Sequence, residues 1–250
     1  MNDLAGKKAL VCGGSQGIGL AAARELAARG AEVTVLARSE PPGEDQFAFL
    51  RADLQQIEAL IPALESQLQS APAFSILVNN SGGPPPGPIV DATSEQFLTA
   101  FKQQVLAAHL LTQWTLPAMK TQGYGRIINV VSTSVREPIE GLGVSNTIRG
   151  ATASWAKTLS REVGKFGVTV NNVLPGATRT ARLEAIIKRK AGASGKPQEE
   201  IEAHMRAEIP AGRFAEPTEI GAVIAFLASP AAGYISGVSV PVDGGRLHCV

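Results

Sequence analysis

The sequence predicts an α/β domain in which one parallel sheet is doubly wound, that is, covered by helices on both faces. Short apolar runs alternate with longer segments of helical spacing along the chain, and strands that alternate with helices form parallel sheets. A cluster of glycines, Gly13 to Gly19, also stands between the first apolar run and the first helical segment. That placement is typical of a strand–turn–helix unit that binds a phosphate.

Each element follows from its own pattern. Apolar runs ended by turn residues predict strands, and the segments of helical spacing between them predict helices. The predicted strands are Lys8–Cys12, Val33–Ala37, Phe47–Leu50, Ile76–Val78, Ile127–Val131, Val168–Val173 and Val238–Val242. The predicted helices are Gly17–Arg29, Gln55–Gln69, Ser94–Lys120, Asn146–Val163 and Pro217–Ala228.

The order of these elements predicts a single domain over residues 1–250, because neither a repeat nor a linker interrupts the alternation. Between the second and third strands, Ser39–Gln46 contains two prolines and a glycine. This predicts a trimmed loop where a crossover helix is usual. Further helices around Arg182–Arg206 are expected to shape a substrate pocket, as a lid at about residues 181–210.

The composition excludes several kinds of partner. The formal net charge is +1, so no basic excess indicates nucleic acid or an anionic membrane surface. No apolar run reaches the ~18 residues that span a bilayer, and no basic-then-apolar leader follows Met1. Two cysteines, Cys12 and Cys249, are too few for a disulfide framework. We expect a soluble cytoplasmic protein without a metal site.

The glycine cluster reads Gly13-Gly14-Ser15-Gln16-Gly17-Ile18-Gly19. Gly13 permits a tight turn, Gly17 lets the backbone approach a phosphate, and Gly19 lets the helix pack closely on the strand. A glycine cluster alone can be a simple turn. Because this one follows a predicted strand and opens a predicted helix, we expect it to bind a dinucleotide cofactor.

Further motifs follow in order along the chain. They are Asp53-Leu54, Asn79-Asn80-Ser81-Gly82, Asn129 to Ser132, Asn172 with Pro175-Gly176 and Thr180, Arg213, Phe226 to Ser229, and Val242 to Gly245. With them the chain resembles the short-chain dehydrogenase/reductase family, whose members have the Rossmann fold and use a nicotinamide cofactor. The resemblance implies a catalytic role for Ser132. It implies cofactor contacts for Asp53, Leu54, Asn80, Ser81, Gly82, Pro175, Gly176 and Thr180.

The chain departs from the family at the other catalytic positions, where the family has asparagine, tyrosine and lysine. The asparagine position falls on Gln104, the tyrosine position on Ser145 and the lysine position on Arg149. The resemblance implies that these three residues belong to the catalytic site. It also implies that Arg149 can hydrogen-bond a ribose hydroxyl of the cofactor.

These replacements remove the usual proton donor. A neighbouring ammonium can lower the pKa of a tyrosine from ~10 toward the working pH, whereas serine is much less acidic and arginine does not give up its proton. Tyr124 and Tyr234 both precede strands, so we expect them at the opposite edge of the sheet. A proton would then come through water, the substrate, Ser132, Glu137, Glu140 or His109, although we expect His109 to serve packing or an interface.

The cofactor type follows from the end of the second strand, Ala37-Arg38-Ser39. An acidic residue there would bind the ribose 2′-hydroxyl and repel a 2′-phosphate. A neutral residue followed by a guanidinium favours NADP(H) over NAD(H), with Arg38 and Ser39 as contacts. Gln16 argues the other way, since NADP-binding relatives often carry a basic residue in the glycine loop.

Two functions are compatible with this sequence. One is an NADP(H)-dependent oxidoreductase that acts on a carbonyl or hydroxyl group of a small molecule through an altered proton path. The other is a catalytically silent cofactor-binding protein, either a sensor or a partner subunit. We favour the oxidoreductase because the nicotinamide side is intact. Apolar helices at 104–119 and 146–163 predict a homotetramer, with a dimer as the next choice.

Overall fold

Seven parallel strands form one sheet in the computed structural model, which describes residues 2–43, 45–67 and 73–249. The order across the sheet is β3-β2-β1-β4-β5-β6-β7, and every neighbouring pair is parallel. The strands are β1 Lys8–Cys12, β2 Glu32–Ala37, β3 Ala48–Arg51, β4 Ile76–Asn79, β5 Gly125–Val130, β6 Val168–Pro175 and β7 Ser239–Val242. The predicted fold class is confirmed, and the order reverses beside β1, where a ligand crevice forms in such sheets.

Helices cover both faces of this sheet. They are α1 Gly17–Ala28, α2 Ile57–Glu65, α3 Ser94–Phe101, α4 Ala107–Gln122, α5 Gly143–Val163, α6 Ala181–Ser194, α7 Gln198–Ala207 and α8 Pro217–Ala228. Helices α1 and α8 pack on one face, through residues such as Leu26 and Ile224. Helices α2, α4 and α5 pack on the other, through Leu64, Leu111 and Ala156. The sheet therefore separates two apolar cores.

The predicted long helix Ser94–Lys120 is interrupted. A capping box between Thr93 and Gln96 starts α3, but Lys102–Leu106 forms a π-helical turn before α4 begins. A π turn inserts an extra residue into the helix and is frequent near functional sites. The interruption changes which side chains face the carboxyl ends of the strands.

Two other predicted boundaries shift. Helix α5 begins at Gly143, three residues before the predicted start at Asn146. Helix α2 begins at Ile57 and ends at Glu65, so the predicted Gln55–Gln69 is too long at its start. Its last two residues, 68–69, lie outside the described part of the chain.

The connection between β2 and β3 is short, as predicted. Described residues of the loop 38–47 form no helix. The Arg24 guanidinium donates two hydrogen bonds, of 2.9 and 2.7 Å, to Asp45 Oδ2 and ties the loop to α1. The residues after β2 are therefore held at the same edge as the glycine loop.

Helices α6 and α7 follow β6 and have a small apolar core of their own. Leu183 and Ile187 of α6 pack with Ile209 and Phe214, and Met205 of α7 packs against them. This cluster is separate from the two cores that flank the sheet. The pair spans Ala181–Ala207, within the range of the predicted lid, and its role as a lid stays a prediction.

Candidate active site

The carboxyl ends of β4, β5 and β6 open into a cavity of about 290 Å³ that α5 and α6 also line. Eleven predicted site residues contribute to its wall. They are Ile18, Asn80, Ser81, Gly82, Ser132, Ser145, Arg149, Pro175, Gly176 and Thr180, and the loop residue Glu140. Residues from Ile18 to Thr180, far apart in the sequence, are thus brought to one crevice.

The glycine loop forms a cradle that side chains would fill. Gly13 and Gly17 have φ angles of 60° and 54°, which L-residues with a Cβ rarely adopt. A Cβ on Gly13 would lie 2.7 Å from Asn80 Nδ2, and one on Gly19 would overlap the Gly13 carbonyl. Helix α1 begins at Gly17 with no side chain capping its first N–H groups. The loop therefore fits the phosphates of a dinucleotide.

Asn80 fixes this cradle to the central sheet. Its Nδ2 donates to the carbonyl oxygens of Cys12 and Gly13 at 3.2 and 3.3 Å.

Asn79, the residue before Asn80, starts a row of hydrogen-bonded side chains across four strands. Asn79 donates to Asn129 at 2.9 Å, Asn129 to Asn172 at 3.0 Å, and Asn172 to Ser239 at 3.1 Å. This row holds the strand ends in register beneath the cavity.

Six of the predicted cofactor residues lie at the same edge but outside the cavity. Arg38 and Ser39 are exposed directly after β2. Asp53 follows β3, where its Oδ1 accepts a hydrogen bond from the Gln55 backbone at 3.0 Å, and Leu54 packs against the apolar core. Ser15 is half-buried and Gln16 is exposed in the glycine loop. These positions continue the crevice toward β2 and β3.

Ser145 and Arg149 form one bonded unit at the end of β5. Ser145 is buried, with 4% of its surface exposed. Arg149 Nε donates to Ser145 Oγ at 3.3 Å, and Nη1 donates to the Val130 carbonyl at 3.1 Å and to the Val131 carbonyl. One turn of α5 separates the two residues. The guanidinium is therefore held against the strand, beside the serine hydroxyl.

The surroundings of Arg149 disfavour its charge without removing it. Burial and, to a smaller extent, the nearby positive charge of Arg182 together lower the pKa of Arg149 to about 10. The group is still protonated at neutral pH, so it donates hydrogen bonds and contributes positive charge. It does not act as a proton donor.

Among described residues, no group of three or more histidine, cysteine, aspartate or glutamate side chains is arranged to hold a metal ion. Within the same part of the chain, none of the helices is both long and apolar enough to cross a bilayer.

Known proteins share this arrangement over nearly the whole chain. The model of a family described as enoyl-(acyl carrier protein) reductase matches residues 13–246. The 3-oxoacyl-(acyl-carrier-protein) reductase FabG of Vibrio cholerae is 32% identical over 253 residues, which cover 97% of this chain and 98% of the relative. The chain belongs to the short-chain dehydrogenase/reductase family.

Solved structures agree with this assignment. The L-sorbose reductase of Gluconobacter frateurii, complexed with NADPH and L-sorbose, has a TM-score of 0.90 and is 28% identical, with both chains fully covered. YwfH, an NADPH-dependent reductase involved in bacilysin biosynthesis, has a TM-score of 0.86 and is 25% identical, with 98% of this chain and 99% of that chain covered. Relatives of this short-chain dehydrogenase/reductase are thus oxidoreductases, several with NADPH or NADP in their structures.

The four family catalytic positions do not all face the cavity. Ser132 lines it, and its Oγ accepts a hydrogen bond from the Ser134 backbone at 3.1 Å. Gln104 lies in the π-helical turn and is buried behind the loop after β4, where Nε2 donates to the Gly82 carbonyl at 3.4 Å. Its placement supports a role in holding that loop, while a catalytic role stays a prediction.

Of the residues named as alternative proton sources, Ser132 and Glu140 line the cavity. Glu137 lies against His248, with Oε1 3.4 Å from Nδ1. His109 is exposed and packs edge-on against Trp155, as expected. Tyr124 precedes β5 and donates to the Ala228 carbonyl, and Tyr234 is fully exposed. Neither tyrosine lines the cavity.

Arg182 also lines the cavity, although the sequence indicated it only as the start of helices that shape a substrate pocket. It lies two positions after Thr180, at the start of α6, and its Nη1 donates to the Gly83 carbonyl at 3.2 Å. A Cβ on Gly83 would lie 2.7 Å from Arg182 Cζ, so only glycine leaves room for this contact. The paired glycines of Ser81-Gly82-Gly83 were the available signal, because a glycine often marks close approach of another group.

Proposed function

We propose that this chain is an NADP(H)-dependent oxidoreductase that acts on a carbonyl or hydroxyl substrate through an altered proton-transfer site. The observation that carries the proposal is the continuity of the glycine cradle with a cavity. Gly17 faces Thr180 across the crevice. A Cβ built on this glycine would lie 3.3 Å from the threonine Cγ2. Ser132, Ser145 and Arg149 stand in the wall of the same cavity.

When bound, the nicotinamide would supply or accept a hydride. The residues of this chain would hold and orient it. Gly13, Gly17 and Gly19 leave space for the phosphates beside the start of α1. Pro175 and Gly176 form the cavity wall at the end of β6, and α6 with α7 would close over the reacting groups as the lid at residues 181–210.

The substrate oxygen is best placed between Ser132 and Ser145. Hydride addition to a carbonyl leaves negative charge on this oxygen. Hydrogen-bond donors that already point toward this charge stabilise the transition state more than the bound substrate, and they therefore lower the barrier. The Ser145 hydroxyl accepts from Arg149 and can donate its own hydrogen into the cavity. The proton itself would arrive through water, because neither serine nor arginine is acidic enough to release one.

The choice of NADP(H) is supported by Arg38 and by the relatives. Arg38 is exposed at the end of β2, where a guanidinium can bind a 2′-phosphate bidentately. The L-sorbose reductase structure contains NADPH. The catalytically silent alternative draws on the three changed positions Gln104, Ser145 and Arg149, of which only the last two line the cavity.

Calorimetric titration with NADPH, followed by a panel of ketones and aldehydes, separates the two functions. The proposal predicts NADPH binding and cofactor-dependent formation of at least one alcohol. A matched variant, Gly17→Val, should lose NADPH binding, since a branched side chain at φ 54° meets Thr180. If NADPH binds but no probe is converted to an alcohol, the catalytically silent protein is favoured. If neither NADPH nor NADH binds, both functions are contradicted.

A further inference from the structure

The cavity is far more basic than the chain as a whole. Its wall contains five cationic side chains and two carboxylates, although the formal net charge of the protein is only +1. The cations are Arg149, Arg182, Arg189, Lys190 and Arg246. One carboxylate, Glu208, is paired with Arg246 at 3.3 Å. The remaining positive charge is concentrated where a substrate would enter.

Helix α6 supplies most of this charge from one face. Arg182, Ile186 and Arg189 are spaced by four and three residues, so they project to the same side, and all three line the cavity. Among the described residues, no carboxylate lies within ion-pair distance of Arg182 or Arg189. By contrast, Arg179 before the lid and Arg206 on the lid lie outside the cavity, and both pair with Glu202.

Contacts with Gly83 fix the position of the Arg182 guanidinium. Its Nη1 donates to the Gly83 carbonyl, and the guanidinium lies directly against the Gly83 backbone. Its charge acts on Arg149 and contributes to the lowered pKa of that residue, while burial lowers the pKa of Arg182 itself. Arg149 and Arg182 are interacting like charges, neither of them in an ion pair among the described residues, and an anion bound beside Arg182 would stabilise both.

We propose that Arg182, supported by Arg189, binds an anionic group of the substrate, a carboxylate or a phosphate, so that the substrate is a keto or hydroxy compound with an acidic end. This inference rests on the proposed function and names the substrate class of that site. The cofactor pyrophosphate is the other source of such an anion. We assign the pyrophosphate to the glycine loop rather than to Arg182, because the residue that faces Gly17 of this loop is Thr180.

The test compares two probes with the same ketone. Benzoylformate carries a carboxylate and methyl benzoylformate does not, and calorimetry measures the binding of each with and without NADPH. We expect the acid to bind at least tenfold more tightly than the ester, the effect of about one charge-assisted hydrogen bond. Arg182→Gln should abolish this preference and leave NADPH affinity unchanged. Lys188→Gln is the matched control, since Lys188 lies on α6 but outside the cavity.

A second variant tests position without removing charge. In Gly83→Ala the new Cβ would displace the Arg182 guanidinium, the far end of a flexible side chain. Gly83 has no positive φ angle, so the backbone accepts alanine. The acid should lose its advantage in this variant as well, with the thermal unfolding midpoint close to that of the parent.

Two outcomes would overturn the assignment of Arg182 to a substrate anion. Equal binding of acid and ester to the parent would exclude an anion subsite. Weakened NADPH binding in Arg182→Gln, with the acid preference retained, would assign the guanidinium to the cofactor. Arg182-dependent binding of the acid without any turnover would support the subsite while the proposed oxidoreductase activity fails, so the two proposals are distinguishable.

Discussion

The double change Ser145→Tyr with Arg149→Lys places a phenol and an ammonium at these two catalytic positions. It should raise the rate at which this protein reduces a neutral ketone, for which ethyl acetoacetate is a suitable probe. General acid catalysis contributes about 10²–10⁴-fold, equivalent to ~2.7–5.5 kcal/mol of transition-state stabilisation. The cavity of about 290 Å³ beside Ser145 has room for the ring. We expect a gain in kcat/KM of about 100-fold or more.

The structure also predicts that the two changes depend on each other. Arg149 Nε lies 3.3 Å from Ser145 Oγ, and Nη1 is held by the Val130 carbonyl. A tyrosine ring at position 145 would therefore collide with a guanidinium that cannot move aside. Ser145→Tyr alone should show little gain and a lower thermal unfolding midpoint. Lysine at 149 is shorter and can still donate to the same carbonyls.

The assay follows NADPH consumption at saturating cofactor, with NADPH affinity measured alongside. The matched control is Ser154→Tyr with Arg161→Lys, which makes the same two changes at exposed positions of α5. This control should behave as the parent does. A double variant at 145 and 149 that binds NADPH normally and unfolds at the parent temperature, yet gains nothing, would refute the claim that only the proton donor is missing.

Three further predictions follow from the structure. NADPH should bind more tightly than NADH, and Arg38→Ala should weaken NADPH alone by about 1.5–3 kcal/mol; equal affinities in the parent would count against Arg38. The Cys12 thiol, whose pKa burial raises to about 12, should resist a thiol reagent that labels the exposed Cys249; two labelled cysteines in the native protein would contradict this burial. Light scattering at micromolar concentration should give a tetramer, with a dimer next, because apolar side chains of α4 and α5 such as Leu110 and Trp155 are only half-buried; a monomer would exclude both.

Much of the fold was predictable because it depends on local signals. Strand β1 and helix α8 have the predicted bounds, since glycines end the strand and a proline starts the helix. The glycine cradle was predictable for the same reason. The π turn at Lys102–Leu106 was not, because its residues are ordinary helix formers and only packing around Gln104 distinguishes it.

The chemistry of the site was predictable in part. The four-residue spacing of Ser145 and Arg149 placed them on one helix face, and the structure brings them into contact. That the guanidinium would donate to the carbonyls of β5 depends on how α5 crosses the sheet, which no local pattern encodes. The basic cavity wall was also hidden, because Arg182 and Arg149 are far apart in sequence and meet only through folding.

Tracing the hydride is the most direct measurement of whether this altered site still works. The parent is incubated with NADPH deuterated on the transferring position and with benzoylformate, and the alcohol is examined by mass spectrometry. We expect deuterium in the product, with a rate lowered about 10²–10³-fold in Ser145→Ala, the usual effect of losing one oriented donor to a developing oxyanion. Firm binding of the labelled NADPH with no deuterated alcohol would instead show a protein that holds its cofactor without transferring a hydride from it.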